Sequence, residues 1–394
     1  MKKKFAVVTG TRAEYGLLRP LIKEINKDMH IETALIVTGA HLSDFYGKTI
    51  DFIKEDGFKI DFVVDMELKG DKETEICHSM AIGLKKFSSL FSNAAFDGVI
   101  ILGDRYELLS VCTAAVIHRV PIVHIHGGEV TEGAIDDTIR HAITKMTSIH
   151  FPSLDIYRDR IIQMGENPER VYSVGSLAID NMREIKLMNK EEISQYTGIN
   201  FKEKIALMTY HPVTLNCFNH ISVEIKEIMK ALVDTNLIVL ITMPNADMGS
   251  QEVYSVILEY MNRYPDKFQL RKNLGQKAYL SSMKYAAMMI GNSSSGISES
   301  PYFKLPVVNV GERQKGRLRT PNIIDCEGRK EKVLQAIHQA LSEDFKSKIQ
   351  SMNNPYGDGT TAKKIANVLK QVNFKDKDEL LKKGFYDLTS IRMC

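Results

Sequence analysis

The sequence has few cysteines, and they do not lie in a pattern that binds metal or forms disulfides. Five occur in 394 residues, namely Cys77, Cys112, Cys217, Cys326 and Cys394. No pair has the short spacing of a zinc or redox site, and the odd number argues against a disulfide framework. We therefore expect reduced thiols and a cytoplasmic protein.

Long apolar runs and an excess of one charge are also missing. No apolar run approaches the roughly 18–20 residues that a membrane span needs. Because charged residues interrupt the apolar segment between Lys2 and Arg12, we do not expect it to be the apolar core of a secretory leader. The 52 Lys and Arg side chains are scattered and nearly balanced by 49 Asp and Glu, which leaves a net charge of +3. We expect neither a membrane nor a nucleic acid as a partner.

The glycine-rich loops of NAD and ATP sites are absent as well. The turn at 10–16 follows the first apolar run but lacks the G-x-G-x-x-G spacing. The segment 47–49 reads like the end of a P-loop, but Leu42 stands where that loop requires glycine. His124 and His126 form a His-x-His pair without a third metal ligand at a fitting spacing. The sequence thus predicts no dinucleotide, ATP or metal cofactor.

Short apolar runs alternate with helical patterns over nearly the whole chain. Uninterrupted runs, such as Val-Ile-Ile-Leu at 99–102, are typical of parallel strands covered on both faces. The predicted strands are 5–9, 33–37, 62–65, 98–102, 122–125, 149–152 and 171–174, followed by 205–209, 237–242, 268–270, 288–290, 307–310 and 323–325. Helical patterns lie between them, and two more, at 329–341 and 360–372, are expected to close the second half.

This order predicts an α/β protein with two Rossmann-like, doubly wound domains that face a cleft. The chain length also favours two domains. We place the N-terminal domain at residues 1–180 and the C-terminal domain at 181–375, followed by a tail at 376–394 that packs on the N-terminal domain. Ligands of such sheets bind at the carboxyl ends of the strands, where functional side chains are therefore expected.

Charged and imidazole side chains follow two neighbouring strands of the first domain. Asp104 and Arg105 come directly after one strand, and His126 and Glu129 lie where the next opens into Gly-Gly. Asp104 can be a catalytic acid or a helix cap, and its place at a strand end favours catalysis. One histidine of the His-x-His pair can instead be an interior residue.

A helix is predicted to begin just after this turn, with Asp136 in its first turn and Arg140 one turn later. Residues four apart share a helix face, so these two can form a simple ion pair. Their position directly after the Gly-Gly turn favours a place in the site.

The second domain contains Gly-Asn-Ser-Ser-Ser-Gly at 291–296, between a predicted strand and a helix start. Backbone N–H groups at such a turn can bind a phosphate, aided by the helix dipole. Glu299 follows in the helix, where its carboxylate can bind ribose hydroxyls or simply complement the dipole.

Further polar residues end other strands. His211 and Asn245 each follow a strand of the second domain, and Arg313 lies in a cationic loop. Arg12, after the first strand, can likewise meet a phosphate with its guanidinium or form an exposed helix cap. Each signal is weak alone, but together they indicate an enzyme of a phosphorylated or nucleotide-linked substrate.

Taken together, these motifs resemble those of the hydrolysing UDP-N-acetylglucosamine 2-epimerases of bacterial sialic-acid synthesis. The matching segments occur in order at 9–16, 102–107, 124–129, 139–145, 211–214, 291–296 and 313–317. The resemblance implies a glycosyltransferase-B fold, a homodimer or homotetramer, no cofactor, and conversion of UDP-GlcNAc and water to N-acetylmannosamine and UDP. The expected route eliminates UDP to a 2-acetamidoglucal, which water then hydrates.

The resemblance also implies roles for individual residues. The nucleotide-sugar would be bound by Arg12, His211, Asn245, Ser293, Ser294, Glu299 and Arg313. The catalytic acids would be Asp104, Asp136 and a glutamate of the Gly-Gly turn, with His211 placed to protonate or hydrogen-bond the leaving group. We add Arg105 and Arg140, beside these acids, as substrate-binding residues.

At one position the chain departs from many members of the family. They carry His-Ile-Glu-Gly-Gly-Glu, whereas this chain has His126 in place of the first glutamate. Either His126 or Glu129 then transfers the proton. The alternatives within the family are the same chemistry on a 2,4-diacetamido-trideoxy sugar nucleotide or a non-hydrolysing epimerase. Outside it they are a glycosyltransferase of the same fold or a catalytically silent nucleotide-sugar sensor.

Overall fold

The structure, a computed structural model, describes residues 2–43, 48–70, 72–131, 135–212, 221–243, 250–271 and 274–388. Its internal contacts divide the chain into two compact units. The first unit consists of Met1–Glu129, Ile135–Asn181 and Tyr356–Cys394, and the second of Val130–Ala134 and Met182–Pro355.

Strands and helices alternate as the apolar patterns predict. The strands are β1 (Lys3–Thr9), β2 (Ile31–Thr38), β3 (Phe62–Val64), β4 (Gly98–Leu102), β5 (Ile122–Ile125), β6 (Ile149–Phe151), β7 (Ile205–Thr209), β8 (Ile238–Thr242), β9 (Phe268–Arg271), β10 (Met288–Gly291), β11 (Val307–Val310) and β12 (Ile323–Cys326). The helices are α1 (Arg12–Asn26), α2 (Ile50–Glu55), α3 (Glu73–Asn93), α4 (Tyr106–Ile117), α5 (Ile135–Met146), α6 (Asp155–Gln163), α7 (Leu177–Glu184), α8 (Lys190–Thr197), α9 (Ile221–Val233), α10 (Ser250–Arg263), α11 (Gly275–Tyr285), α12 (Ser295–Ser298), α13 (Ser300–Phe303), α14 (Lys330–Leu341), α15 (Glu343–Gln350), α16 (Thr361–Gln371) and α17 (Lys377–Leu381).

Each unit is built on a parallel sheet that has six strands within the described residues. The orders are β3-β2-β1-β4-β5-β6 and β12-β11-β10-β7-β8-β9. Counted from the first strand of each unit, both sheets have the order 3-2-1-4-5-6 of a doubly wound nucleotide-binding fold. In each sheet the order reverses between the first and fourth strands, which are β1 and β4 in one unit and β7 and β10 in the other. Ligand-binding side chains are expected after these four strands.

The strands are buried on both faces, which explains their uninterrupted apolar sequences. All residues of β4, β7 and β11 are buried. Within the described residues, twelve of the thirteen predicted strands are confirmed, with ends within two residues of the prediction. The strand predicted at 171–174 is wrong, because only Val171 pairs with the sheet, through a single bridge to His150.

The last long helix differs from the predicted domain division, which placed residues 181–375 in the second domain. In the structure, α16 belongs to the first unit. Its apolar face, with Ile365 and Leu369, lies in the same core as Phe5, Leu18 and Leu21. The helix is confirmed, but the 3.6-residue pattern that predicts a helix does not say which sheet it covers. The chain after α16 also stays with the first unit.

Candidate active site

A buried histidine joins the ends of β4 and β5 in the first unit. His124 Nε2 lies 2.7 Å from Gly103 O, and the side chain has no solvent exposure. Burial lowers the pKa of His124 to about 3. A neutral ring facing a carbonyl oxygen must carry its proton on Nε2. His124 is therefore the interior histidine of the His-x-His pair.

Asp104 follows β4 and forms an ion pair with Arg140 of α5. The Arg140 side chain is only 3% exposed. It also donates to Asp137 Oδ1 at 3.0 Å and to Glu129 O at 2.7 Å. A rigid guanidinium with three such acceptors fixes the Asp104 carboxylate in one orientation. Arg140 thus links Asp104, Asp137 and the backbone of the Gly-Gly turn through one side chain.

Asp136, in the first turn of α5, is in a different electrostatic environment from Asp104. Burial raises the pKa of Asp136, and the charge of nearby Asp104 raises it further. The structure therefore places an ion-paired carboxylate near a carboxyl group whose pKa is raised. A pair of carboxyl groups in unlike environments can serve acid and base steps of one reaction.

Arg105 directly precedes α4, at its N-cap, and binds a buried carboxylate. Its Nε and Nη2 lie 3.0–3.3 Å from the two oxygens of Glu107, which is 1% exposed. Nearby, Glu14 accepts from the backbone N–H groups of Gly10 at 2.7 Å and Thr11 at 3.2 Å. Burial, and next the charge of Glu107, raises the pKa of Glu14 to about 7. These side chains support the turn after β1.

Arg12 is the first residue of α1 and is exposed at this turn. Its guanidinium carbon lies 4.3 Å from the centre of the Phe52 ring, a cation–π contact. Thr11 and Glu14 form a capping box at the start of the helix. The guanidinium is therefore presented from a fixed backbone and remains accessible to an anion.

His126 and Glu129 contact each other across the Gly-Gly turn after β5. His126 Nδ1 lies 3.2 Å from Glu129 Oε1, and both side chains are mostly buried. Ser153 Oγ donates to the same oxygen at 3.3 Å. His126 Nε2 is buried and has no hydrogen-bond partner among the described residues. The backbone of His126 has a φ of +66°, which is uncommon for a residue with a side chain.

Glycine is required next in this turn because α6 approaches it closely. Gly128 has a φ of +78°, and a Cβ there would lie 2.3 Å from Tyr157 O. Arg160, also in α6, donates to Gly128 O. The turn that carries His126 and Glu129 is therefore fixed by its packing against α6 and by the hydrogen bond from Arg160.

In the second unit, the turn after β10 is fixed to the end of β7. Gly291 has a φ of +133°, and a Cβ there would lie 2.0 Å from Thr209 O. Asn292 is buried; its Oδ1 accepts from His211 N at 2.7 Å and its Nδ2 donates to His211 O at 2.8 Å. His211 and the serine turn are thus joined by a buried amide. Burial, and next the charge of Arg313, lowers the pKa of His211 to about 4, so its imidazole is neutral at pH 7.

The serine turn itself presents hydroxyl and backbone N–H groups. Ser293 Oγ lies 3.0 Å from Ser295 Oγ, which also bonds Tyr279 of α11 at 2.6 Å. Ser294 is exposed. Among the described residues, the backbone N–H groups of Ser293 and Ser294 have no acceptor. The turn can therefore donate several hydrogen bonds to an anion.

The helix expected after this turn is too short to have a substantial macrodipole. The structure has two single turns, α12 and α13, which meet at Glu299. Because a macrodipole grows from many aligned peptides, local N–H groups matter more here than the dipole. Burial raises the pKa of Glu299 to about 7.

Arg313 lies after β11 and is tied to the same turn. Its Nη1 donates to Asn292 O at 3.1 Å, and Gln314 Nε2 donates to that oxygen at 2.8 Å. The structure thus brings His211, the serine turn, Glu299 and Arg313 into one unit. Asn245 lies outside the described residues.

No cluster of three His, Cys, Asp or Glu side chains with metal-binding geometry occurs in the part of the chain that the structure describes. Within the same residues, no helix is long and apolar enough to span a membrane.

Comparison with known proteins identifies the family of this chain. The family model of UDP-N-acetylglucosamine 2-epimerase matches residues 23–370. The chain belongs to this family. The resemblance predicted from the motifs is thereby confirmed.

Two relatives match almost end to end. A Campylobacter jejuni protein named GDP/UDP-N,N'-diacetylbacillosamine 2-epimerase (hydrolyzing) is 43% identical over 98% of this chain and all of the relative. Polysialic acid biosynthesis protein P7 of Escherichia coli is 38% identical, with 98% of each chain covered. A crystal structure of UDP-GlcNAc 2-epimerase from Neisseria meningitidis, bound to UDP-GlcNAc, is 17% identical with a TM-score of 0.79 over 94% of this chain and all of that one. The predicted fold, with two Rossmann-like domains as in glycosyltransferase-B proteins, is confirmed.

Glu14, Glu107 and Ser153 are buried polar residues of the first unit that the sequence argument missed. The Thr-x-x-Glu spacing of residues 11–14 is the signature of a capping box and could have revealed Glu14. Nothing in the sequence marks Glu107 as buried, because a glutamate in the first turn of a helix is ordinarily exposed. Ser153 contacts Glu129 from the segment after β6, a proximity that only the strand order β5-β6 creates.

Proposed function

We propose that this protein hydrolyses and epimerises a UDP-linked 2-acetamido sugar at C2, releasing UDP. The observation that carries the proposal is the 43% identity, across both full lengths, to a relative named as a hydrolysing 2-epimerase. The sets of side chains at the strand ends of both units provide the groups that this reaction needs.

UDP binding is assigned to the second unit. The N–H groups of the serine turn and the guanidinium of Arg313 would receive the phosphates, and neutral His211 would donate a hydrogen bond to them. Glu299 would bind ribose hydroxyls. Arg12 presents a further guanidinium on the first unit, at the start of α1. These contacts strengthen as negative charge develops on the leaving UDP, so they promote cleavage of the C1–O bond.

Proton transfer is assigned to the first unit. As the C1–O bond breaks, its electron pair leaves with UDP, and removal of the C2 proton gives a C1=C2 double bond. Water then adds its hydroxyl to C1, and a proton is delivered to C2 on the opposite face. Asp104, Asp136 and the His126–Glu129 pair are the acid and base groups of these steps. Arg140 would position Asp104, and Arg105 would position Glu107 beside the turn of Arg12.

The sugar that we favour is N,N'-diacetylbacillosamine, a 2,4-diacetamido-trideoxy sugar, carried on UDP. The sugar is supported by the name of the 43% identical relative, which gives GDP or UDP as its carrier. UDP is supported by a 35% identical Legionella pneumophila protein named UDP-N,N'-diacetylbacillosamine 2-epimerase (hydrolyzing). UDP-GlcNAc, the main expectation from the sequence, is the second candidate. It is supported by the name of the matching family and by the 38% identity to a polysialic acid biosynthesis protein.

The test is proton NMR of the purified protein in D₂O with UDP-N,N'-diacetylbacillosamine and, separately, UDP-GlcNAc at equal concentration. We expect UDP release and a free 2-epimeric sugar that carries deuterium at C2, faster from the diacetamido substrate. Faster turnover of UDP-GlcNAc would reverse the substrate assignment. UDP release without deuterium at C2 would overturn 2-epimerisation and favour a glycosyltransferase side reaction.

A further inference from the structure

We infer that His126 and Glu129 act as a dyad, in which His126 Nε2 takes the C2 proton and Glu129 is a positioning residue that acts through the imidazole. The inference rests on the proposed function and assigns roles within it. It resolves which of the two residues transfers the proton.

The contact between the two side chains fixes the position of the imidazole proton. A carboxylate can only accept a hydrogen bond, so the nitrogen 3.2 Å from Glu129 Oε1 must be the one that carries hydrogen. In a neutral imidazole this leaves the lone pair on Nε2. That atom is buried and has no partner among the described residues. The Nε2 lone pair is therefore not engaged by any group in the part of the chain that the structure describes.

Glu129 is itself occupied by contacts with the protein. Ser153 Oγ donates to Glu129 Oε1, the oxygen that faces His126. The Glu129 backbone is held as well, since Arg140 donates to its carbonyl oxygen at 2.7 Å. A carboxylate in this position suits support of an imidazolium better than direct attack on a C–H bond, as in other carboxylate–histidine pairs.

The backbone of His126 is consistent with a functional demand. A φ of +66° is unfavourable for a residue with a side chain, whereas glycine adopts it without this cost. The conformation is nevertheless fixed, because His126 N donates to Phe151 O at 3.1 Å and the next turn is pinned by α6. The unfavourable backbone conformation thus sets the orientation of the His126 side chain.

The charged and titratable groups around the dyad come from three elements besides its own turn. They are Arg140 and Asp137 of α5, Arg160 of α6 and the neutral His124 of β5. In the proposed step the C2–H bond breaks and its proton passes to Nε2, while its electron pair forms the C1=C2 bond. The positive charge gained by the ring is balanced by Glu129, which contacts the other ring nitrogen.

The first test reads the tautomer directly and does not depend on turnover. Histidine-labelled protein (¹⁵N) is studied by long-range ¹H–¹⁵N NMR, and the His126 ring is assigned by its loss in His126→Gln. We expect hydrogen on Nδ1 and a bare Nε2 in the wild type. In Glu129→Gln the amide can donate, and the hydrogen should redistribute to Nε2. A wild-type ring with hydrogen on Nε2 would overturn the dyad.

The second test is a double-mutant cycle on kcat, with UDP affinity measured in parallel. His126→Gln should lower kcat by about 10²-fold or more, as expected for loss of a general base, with UDP affinity unchanged. Glu129→Gln should also lower kcat strongly, and Glu129→Asp should restore part of the loss. The double variant should be no slower than His126→Gln alone, because Glu129 acts only through the ring.

The control is His78→Gln, at an exposed histidine of α3 in the same unit, which should keep the wild-type kcat. If the effects of the two single variants multiply in the double variant, Glu129 acts independently and the dyad is wrong. Retention of kcat in His126→Gln, with the wild type active, would overturn the role of His126 and leave the proposed reaction intact.

Discussion

At the scale of single residues, both units hold carboxyl groups in environments that change their chemistry. Asp136 and Glu14 in the first unit and Glu299 in the second all have a raised pKa, and burial is the main cause in each. Asp104, by contrast, has a buried guanidinium as its partner. Carboxyl groups with such unlike neighbours are typical of sites that move protons and bind polar ligands.

Asp104→Asn tests the ion-paired carboxylate. We expect kcat to fall by about 10²-fold or more while the Kd for UDP changes less than about threefold, because the group acts on the sugar and not on the nucleotide. Isothermal titration with UDP and steady-state kinetics measure the two effects. Asp159→Asn, at an exposed residue of α6, is the matched control. Equal losses in kcat and in UDP affinity would contradict a catalytic role for Asp104.

Glu299→Gln tests the raised pKa in the second unit. With a pKa of about 7 in the folded state and about 4.3 in the unfolded chain, the folded state holds the proton over this interval. The wild type should therefore lose stability as the pH rises from about 5 to 8, by roughly 1–2 kcal/mol after allowance for partial exposure. Glutamine does not titrate, so the variant's Tm should rise relative to the wild type over that range. A pH-independent difference, or the same trend in exposed Glu312→Gln, would contradict the assignment.

At the scale of elements, short connections hold the functional groups. The serine turn has only single helical turns after it, and its shape depends on Gly291 and the Asn292 amide. In the first unit, the C-terminal segment after α17 lies against α5 and α6. Lys383 reaches Glu166, which is 1% exposed, and Tyr386 N donates to Gly165 O at 2.9 Å. Neither the serine turn nor the segment after α17 is part of a long helix or strand.

Gly291→Ala tests the junction of β7 and β10. Its Cβ would meet Thr209 O at 2.0 Å, so the strands must separate and the serine turn must shift. We expect UDP affinity to fall by roughly tenfold, or about 1.4 kcal/mol. Gly57→Ala is the control, because Gly57 also has a positive φ but nothing lies within 4 Å of its Cβ position. It should lose about 1 kcal/mol of stability and keep UDP affinity. Equal UDP affinities in the two variants would show that the junction does not shape the turn.

Lys383→Met tests the attachment of the C-terminal segment. Burial alone would raise the pKa of Glu166, but hydrogen bonds from His150, Lys145 and Lys383 outweigh it and hold the pKa at about 2. Removing one cation should lower the free energy of unfolding at pH 7 by roughly 2 kcal/mol, less than for a pair with no other partners.

Because the pKa of Glu166 is depressed, its stabilisation is present above about pH 4.5 and fades as the pH falls toward 2. The difference between Lys383→Met and the wild type in denaturant unfolding should shrink in the same direction. Lys382→Met, at the exposed neighbour, should be neutral. A loss of stability that is the same at pH 7 and at about pH 2 would contradict the role of the charge cluster.

At the scale of the whole molecule, the sequence predicts the two sheets well because each strand is a continuous apolar run. The sequence does not predict which sheet a helix covers, because an apolar helix face can pack on either one. The periodicity of 360–372 predicts a helix, but only the structure shows Ile365 in the first core. The site is predicted as a set of strand ends, whereas the Arg140 contacts and the Ser153–Glu129 bond depend on the order of the strands. Asp104, His126 and Ser293 could be selected from sequence because polar residues directly after buried strands are conspicuous.

The division of the chain makes a prediction about independent folding. The first unit ends with residues 356–394 and is incomplete at residue 181, since Ile365, Leu369 and Phe374 fill its core and the Phe374 ring centre lies 4.8 Å from that of Phe5. Burial of three such side chains contributes roughly 5–9 kcal/mol, which is comparable to the whole stability of a domain. A fragment of residues 1–181 should therefore not unfold cooperatively. The same fragment mixed with a peptide of residues 356–388 should regain a cooperative transition by circular dichroism, whereas a peptide with Ile365→Asp and Leu369→Asp should not restore it. The continuous fragment 182–355 should fold without any addition. Cooperative unfolding of 1–181 alone, at the temperature seen with the peptide, would contradict the assignment of α16 to the first core.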